Sequence, residues 1–159
     1  MQPAGRQRAI AERVAAAGIG VVALPHTNLF LQGRGVAPMP RGLTAVDALL
    51  AAGATVCAGA DNLQDPFNPV GRGCPFETAG LMILAAHLRP DEAWSSVSDH
   101  AATAVGDDTV GDMAGVAIGP IAPGRRADLL AVRGSSLREA IAFGSPDRLV
   151  FRAGEVLDP

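Results

Sequence analysis

The sequence predicts an α/β fold, and three observations carry that reading. Amphipathic helical stretches alternate with short apolar runs in the order helix, strand, helix, strand. The two runs, IGVVAL at 19–24 and TVCA at 55–58, are apolar at successive positions, which suits strands covered on both faces in a parallel sheet. The 159 residues, 48% of them hydrophobic, suffice for one domain with a real core. They fall short of a closed eight-fold barrel, which takes about 250 residues.

Each element has its own signal. Over residues 6–17, Ile10 and Val14 lie four apart among Arg, Glu and Ala, and Gly18 stops that helix. IGVVAL ends at Pro25, and residues 26–43, polar and glycine-rich, read as a long loop. Thr44 with Asp47 resembles a capping box for a helix with the apolar face Val46, Leu49 and Leu50, ended by Gly53. TVCA then leads directly into Gly59-Ala60-Asp61-Asn62, and a second long loop covers 63–75. Helices are expected over 77–88 and 91–104. A turn-rich link at 119–124 precedes a strand at 127–132, and 149–157 reads as two short strands around an Ala153-Gly154 turn.

Composition removes several classes of function. The net charge is −3 and all 13 basic residues are Arg, scattered without the basic stripe that follows a phosphate backbone, which argues against nucleic acid. The one basic pair, Arg125-Arg126, reads as a solvated loop. Without Lys there is no GxxxxGK[ST] phosphate loop, and no GxSxG elbow is present. Gly33-Arg34-Gly35 and Gly71-Arg72-Gly73 lack dinucleotide-fingerprint spacing. Cys57 and Cys74 fit no zinc or redox spacing, and Cys57 in its apolar run reads as a small buried hydrophobe. No apolar stretch reaches the roughly 18 residues that span a bilayer, and the polar N-terminus has no signal-peptide core. No membrane partner is expected, and a reducing cytoplasm is the default compartment.

The strongest candidate for chemistry is Asp61, just past the carboxyl end of a strand, where barrel enzymes place catalytic groups. A carboxylate there can ligate a divalent metal and accept a proton from bound water. Asp61-Asn62 can equally serve only to turn the chain. The two long loops leave the same ends of neighbouring strands and would line one mouth with Asn28, Gln32, Arg34, Asn62, Gln64 and Asp65. Phe67 could stack on a ring there. His26 follows the first strand at the same end, whereas His87 and His100 fall on helices and read as structural. A catalytic zinc takes about three protein ligands, and the sequence offers Asp61 as its one credible ligand.

Five segments together resemble a known family. NLFLQGRG, RGLTAVDALLAAGATVCAG and DNLQDPFNPVG look like the last quarter of the barrel in bacterial cytosine deaminases. GPIAPGRRADLLAV and LVFRAGEVL look like the closing stretch of the wider metal-dependent amidohydrolase superfamily. The resemblance implies the C-terminal portion of a distorted (β/α)8 TIM barrel over 1–118 and C-terminal strands of a small β-sandwich over 119–159. It implies hydrolytic deamination of cytosine or a related amino-substituted heterocycle, with zinc or iron in the complete enzyme. Asp61 matches the family's metal-binding, proton-accepting aspartate. Asn62 and Phe67 match positions beside the substrate ring. Where the pattern has an acid, a Trp and a His, this chain has Asn62, Phe67 and Ala60, departures that favour a related amino-substituted or N-alkylated heterocycle over cytosine.

The family's HxH motif, its later histidines and its general-acid glutamate would lie upstream of Met1. The chain alone is therefore expected to bind no metal tightly, and to need the N-terminal part of the barrel or self-association to cover its raw strand edges. The alternative is a non-catalytic remnant, or small α/β interaction module, that keeps the family's sequence without its metal site.

Overall fold

The computed structural model describes residues 2–105, 120–144 and 146–157. The expected boundary at 118/119 lies outside the described residues. Those residues form an α/β structure with two small sheets. Helix α1 (Ala4–Ala16) leads through Gly18, at φ +65°, into β1 (Val21–Ala23). Helix α3 (Val46–Ala51) ends at Gly53, φ +79°, and leads into β2 (Val56–Ala58). The positive φ explains both glycines as helix stops, because a side chain would be strained there. β1 and β2 pair in parallel, Val21 opposite Val56 and Ala23 opposite Ala58.

The two strands differ in environment. All three residues of β2 are buried, as expected. β1 is shorter than the apolar run, and it is not covered on both faces, with Val22 52% exposed and Ile19 53%. Only β2 has helices α5 and α6 against it as well as its strand neighbour.

Between the strands lies an element that the loop reading of residues 26–43 leaves out, α2 (Pro25–Leu31). Pro25 ends the strand but also fits the first position of a helix, where its missing N–H costs nothing. The capping box at Thr44 does not form. Ala45 precedes α3, no side chain caps it, and Thr44 instead accepts from the Val46 N–H through its backbone oxygen at 2.7 Å.

Helix α4 (Pro75–Ala86) is the centre of the core, packing on α2, α5, α7 and β2. Its Phe76, Ala79 and Met82 are almost fully buried, with Ala23, Val56 and Ala93 in the same cluster. It stops at His87, which takes the left-handed conformation at φ +57°. The helix expected over 91–104 is two helices, α5 (Pro90–Val97) and α6 (Asp99–Val105). The break is at Ser98, whose hydroxyl donates to the Trp94 carbonyl at 2.8 Å, a bond that competes with the helical ladder. His100 Nδ1 lies 2.9 Å from the Val56 carbonyl oxygen and fastens α6 to β2, a structural role as expected.

The tail forms an antiparallel sheet of β3 (Leu129–Val132), β4 (Arg148–Arg152) and β5 (Glu155–Leu157). β4 and β5 turn at Ala153 and Gly154, both at positive φ, as the strand twist of a two-residue hairpin requires. Helix α7 (Leu137–Phe143) interrupts this tail. Its Ser136 hydroxyl accepts from the Glu139 N–H at 3.2 Å, so Ser136-Leu-Arg-Glu139 is a working helix start that a strand-and-turn reading passes over. Arg126 is ion-paired with Asp128 rather than merely solvated.

Candidate active site

Because β1 and β2 run in parallel, the segments that leave Ala23 and Ala58 emerge at one rim. The pairing runs one residue further, with the Gly59 N–H donating to the Ala23 carbonyl at 3.0 Å. Asp61 comes two residues later. It is exposed, sits in the left-handed region at φ +64°, and makes no hydrogen bond or ion pair with any described residue.

The next residue is the opposite case. Asn62 Nδ2 donates to Asp65 Oδ2 at 2.5 Å, and its Oδ1 accepts from the Thr27 hydroxyl at 3.3 Å. Its backbone oxygen accepts from Asn68 Nδ2 at 2.8 Å. Both ends of the amide are thus occupied inside the chain, one of them joining the segment after β1 to the segment after β2. Asp65 Oδ1 accepts the N–H groups of Phe67 and Asn68 at 2.8 and 3.0 Å, which tightens the turn that presents Phe67, 52% exposed. Burial raises the Asp65 pKa, but the bonds from Asn62, Phe67 and Asn68 outweigh it and hold the carboxyl below its ordinary 3.8. Gly71 closes this turn at a point where a Cβ would collide with the Asn62 carbonyl oxygen.

The other expected site residues are spread more widely. His26 is buried at the start of α2, its Nε2 3.2 Å from the Thr78 hydroxyl on α4. Burial pushes its pKa below 6.5, Glu77 pulls it partly back, and Arg72 lowers it again. Asn28 is half-buried on α2 with no side-chain hydrogen bond to a described residue. Gln32 lies against Gly42 and faces a cleft of about 440 Å³ with Arg41, Asp47 and His87. Arg34 folds back on α2, donating to the Phe30 carbonyl at 3.1 Å with its guanidinium 4.0 Å over the Phe30 ring. A second cleft, about 640 Å³ and mainly apolar, runs past His26, Leu29, Val70 and Leu81, and Asp61 does not line it.

Thr27, Asn62, Asp65 and Asn68 are therefore one hydrogen-bonded assembly directly after Asp61 in the chain, and Gln32 and Arg34 stand apart from it. Thr27 and Thr78 escaped sequence reasoning because their partners lie 35 and 52 positions away. Asn68 carried a local signal, since Asp and Asn three apart favour a side-chain-supported turn.

Among the described residues, no three His, Cys, Asp or Glu side chains gather where they could hold a metal ion. The described residues therefore do not by themselves fit a catalytic zinc.

Comparison with known proteins gives this arrangement its context. The chain is 35% identical over 147 residues to a pterin deaminase of Rhizobium rhizogenes (strain K84 / ATCC BAA-868), matching 91% of this chain and 32% of that protein. It superposes with a TM-score of 0.81 on a 5-methylcytosine deaminase of Klebsiella pneumoniae in complex with 5-fluorocytosine, at 28% identity, covering 98% of this chain and 37% of that one. It superposes with a TM-score of 0.72 on an N-isopropylammelide isopropylaminohydrolase of Burkholderia multivorans ATCC 17616, also at 28% identity, covering 98% and 35%. The chain thus spans about a third of the length of these relatives. The profile of the amidohydrolase family matches residues 4–157, from α1 through the rim that carries Asp61 to the last strand, and to that family the chain belongs.

Proposed function

We propose that this chain supplies one wall of the active site of a hydrolytic deaminase acting on an amino-substituted heterocycle. Residues 1–118 would build the last units of a distorted (β/α)8 barrel, and residues 119–159 the closing strands of a small β-sandwich. The observation that carries the reading is Asp61, an exposed carboxylate with no partner among the described residues, placed past the carboxyl end of the buried strand β2. The relatives support the reaction class, since two are named deaminases and one an aminohydrolase of a heterocycle.

In such a reaction water adds at the ring carbon bearing the amino group, the C–N bond breaks, and the amine leaves while the ring keeps the oxygen. Asp61 is the group that takes the water's proton. Phe67, held outward by Asp65, offers a face for the ring to stack on. Asn28 and Gln32, on the segment that leaves β1, would offer amides to the polar groups of the ring, and His26, bonded to Thr78, would hold that segment on α4.

The family is typically metal-dependent. Asp61 would be one ligand of a zinc or iron ion completed by donors outside the described residues. A second reading, an interaction module without chemistry, draws on the same incomplete donor set.

A graft separates the two. Residues 4–157 replace the matched 37% of the Klebsiella pneumoniae enzyme, and zinc is titrated into the graft and into the lone chain. The deaminase reading expects tight, stoichiometric zinc in the graft and weak binding by the lone chain. Equally weak zinc in a folded graft would favour the module.

A further inference from the structure

Asp61 stands at positive φ, a region uncommon for non-glycine residues though more open to Asp than to most, yet it has no hydrogen bond of its own to hold it there. Its neighbours supply a cause. On one side Gly59 is fixed by its N–H bond to Ala23 of β1. On the other, Asn62 is pinned at three atoms, its Nδ2 by Asp65, its Oδ1 by Thr27 and its backbone oxygen by Asn68. Only Ala60 and Asp61 bridge the two fixed points, so the chain must turn within them.

We propose that Asp65 is a positioning residue for Asp61: through the Asn62 amide it clamps the chain after β2 to the segment after β1, and so imposes the left-handed backbone that turns the Asp61 carboxylate out at the rim. This deepens the proposed function, on which its catalytic meaning rests. The clamp depends on residue 62 being an amide. One end must donate to the Asp65 carboxylate while the other accepts from the Thr27 hydroxyl, and a carboxylate at 62 would put two anions 2.5 Å apart. Exchanging the two chemistries should restore the bond with its direction reversed, because an amide at 65 could then donate to a carboxylate at 62.

The test uses the full chain in solution and reads the intraresidue HN–Hα cross-peak of Asp61, which is strong at positive φ because the two protons are close. In the wild type the peak is strong. In Asn62→Asp it should weaken to the level of an extended residue, and in Asn62→Asp with Asp65→Asn it should return. Asp65→Ala should weaken it as well, and should a variant unfold, the double exchange still decides the matter. A lowered melting temperature with the Asp61 peak unchanged in Asn62→Asp would overturn the proposal, since Asp65 would then be a loop stabiliser only. A double exchange that folds but leaves the peak weak would overturn it too. The readout involves neither substrate nor metal, so failure of the deaminase reading would appear in the graft and not here.

Discussion

His26 Nε2 on α2 lies 3.2 Å from the hydroxyl of Thr78 on α4, and both side chains are buried. This contact ties the segment that leaves β1 to the central helix. Burial there also disfavours the charged form of the imidazole.

A dependence of stability on pH follows. The folded pKa of His26 is lowered, chiefly by burial, below the 6.5 of the unfolded chain. The unfolded state therefore binds the proton first as pH falls, and stability is present above 6.5 and lost progressively down to the folded pKa. Urea midpoints measured from about pH 7.5 down to about pH 5 should fall in that window, and His26→Gln should flatten the fall. A midpoint that rises on acidification would contradict the neutral, buried ring.

Thr78→Val keeps the shape of the side chain and removes the hydroxyl. His26 would then have a buried ring nitrogen without its partner, a loss of about 1–3 kcal/mol. Equilibrium denaturation of the variant measures it, and a change below a few tenths of a kcal/mol would mean that the bond is not formed in solution.

Gly71→Ala should destabilise by about 1–3 kcal/mol, as overpacking does. The added methyl would meet the Asn62 carbonyl oxygen, and Asn68 Nδ2 at 2.5 Å, both of them backing the Asp61 turn. Gly5→Ala, where nothing lies within 4 Å of the added carbon, is the control.

The two thiols should differ in reactivity. Burial raises the Cys57 pKa, and that residue lies in β2. Burial also raises that of Cys74, but the N–H groups of Glu77 and Phe76 and the Arg148 guanidinium, 3.9 Å away, more than offset it. Iodoacetamide at neutral pH should label Cys74 well before Cys57, and Arg148→Met should slow that labelling. Mass spectrometry of timed samples gives both rates.

Much of the fold could be read from local pattern. Gly18 and Gly53 marked helix ends because their positive φ is a local demand, and Ala153-Gly154 marked a hairpin for the same reason. The apolar run of β2 meant burial, and burial is what it has. The same run in β1 misled, since Val22 is half exposed and an apolar residue does not reveal whether anything lies over it. Helix α2 was hidden by a proline that can end a strand or begin a helix, and the break at Ser98 by a hydroxyl whose choice of partner depends on three dimensions.

The position of Asp61, shortly past the carboxyl end of β2, was legible from the apolar run that precedes it. The engagement of Asn62 by Thr27, 35 residues away, was not, because no spacing encodes a contact between segments that meet only once the strands pair.

Acid–base work by Asp61 in deamination is tested by ammonia release from the graft, with and without Asp61→Asn. Pterin and 5-methylcytosine, named by the relatives, are the first substrates to offer. The unaltered graft should release ammonia, and kcat should fall by about 10²–10⁴-fold when the carboxylate becomes an amide. Undiminished release from the folded Asp61→Asn graft would contradict that role.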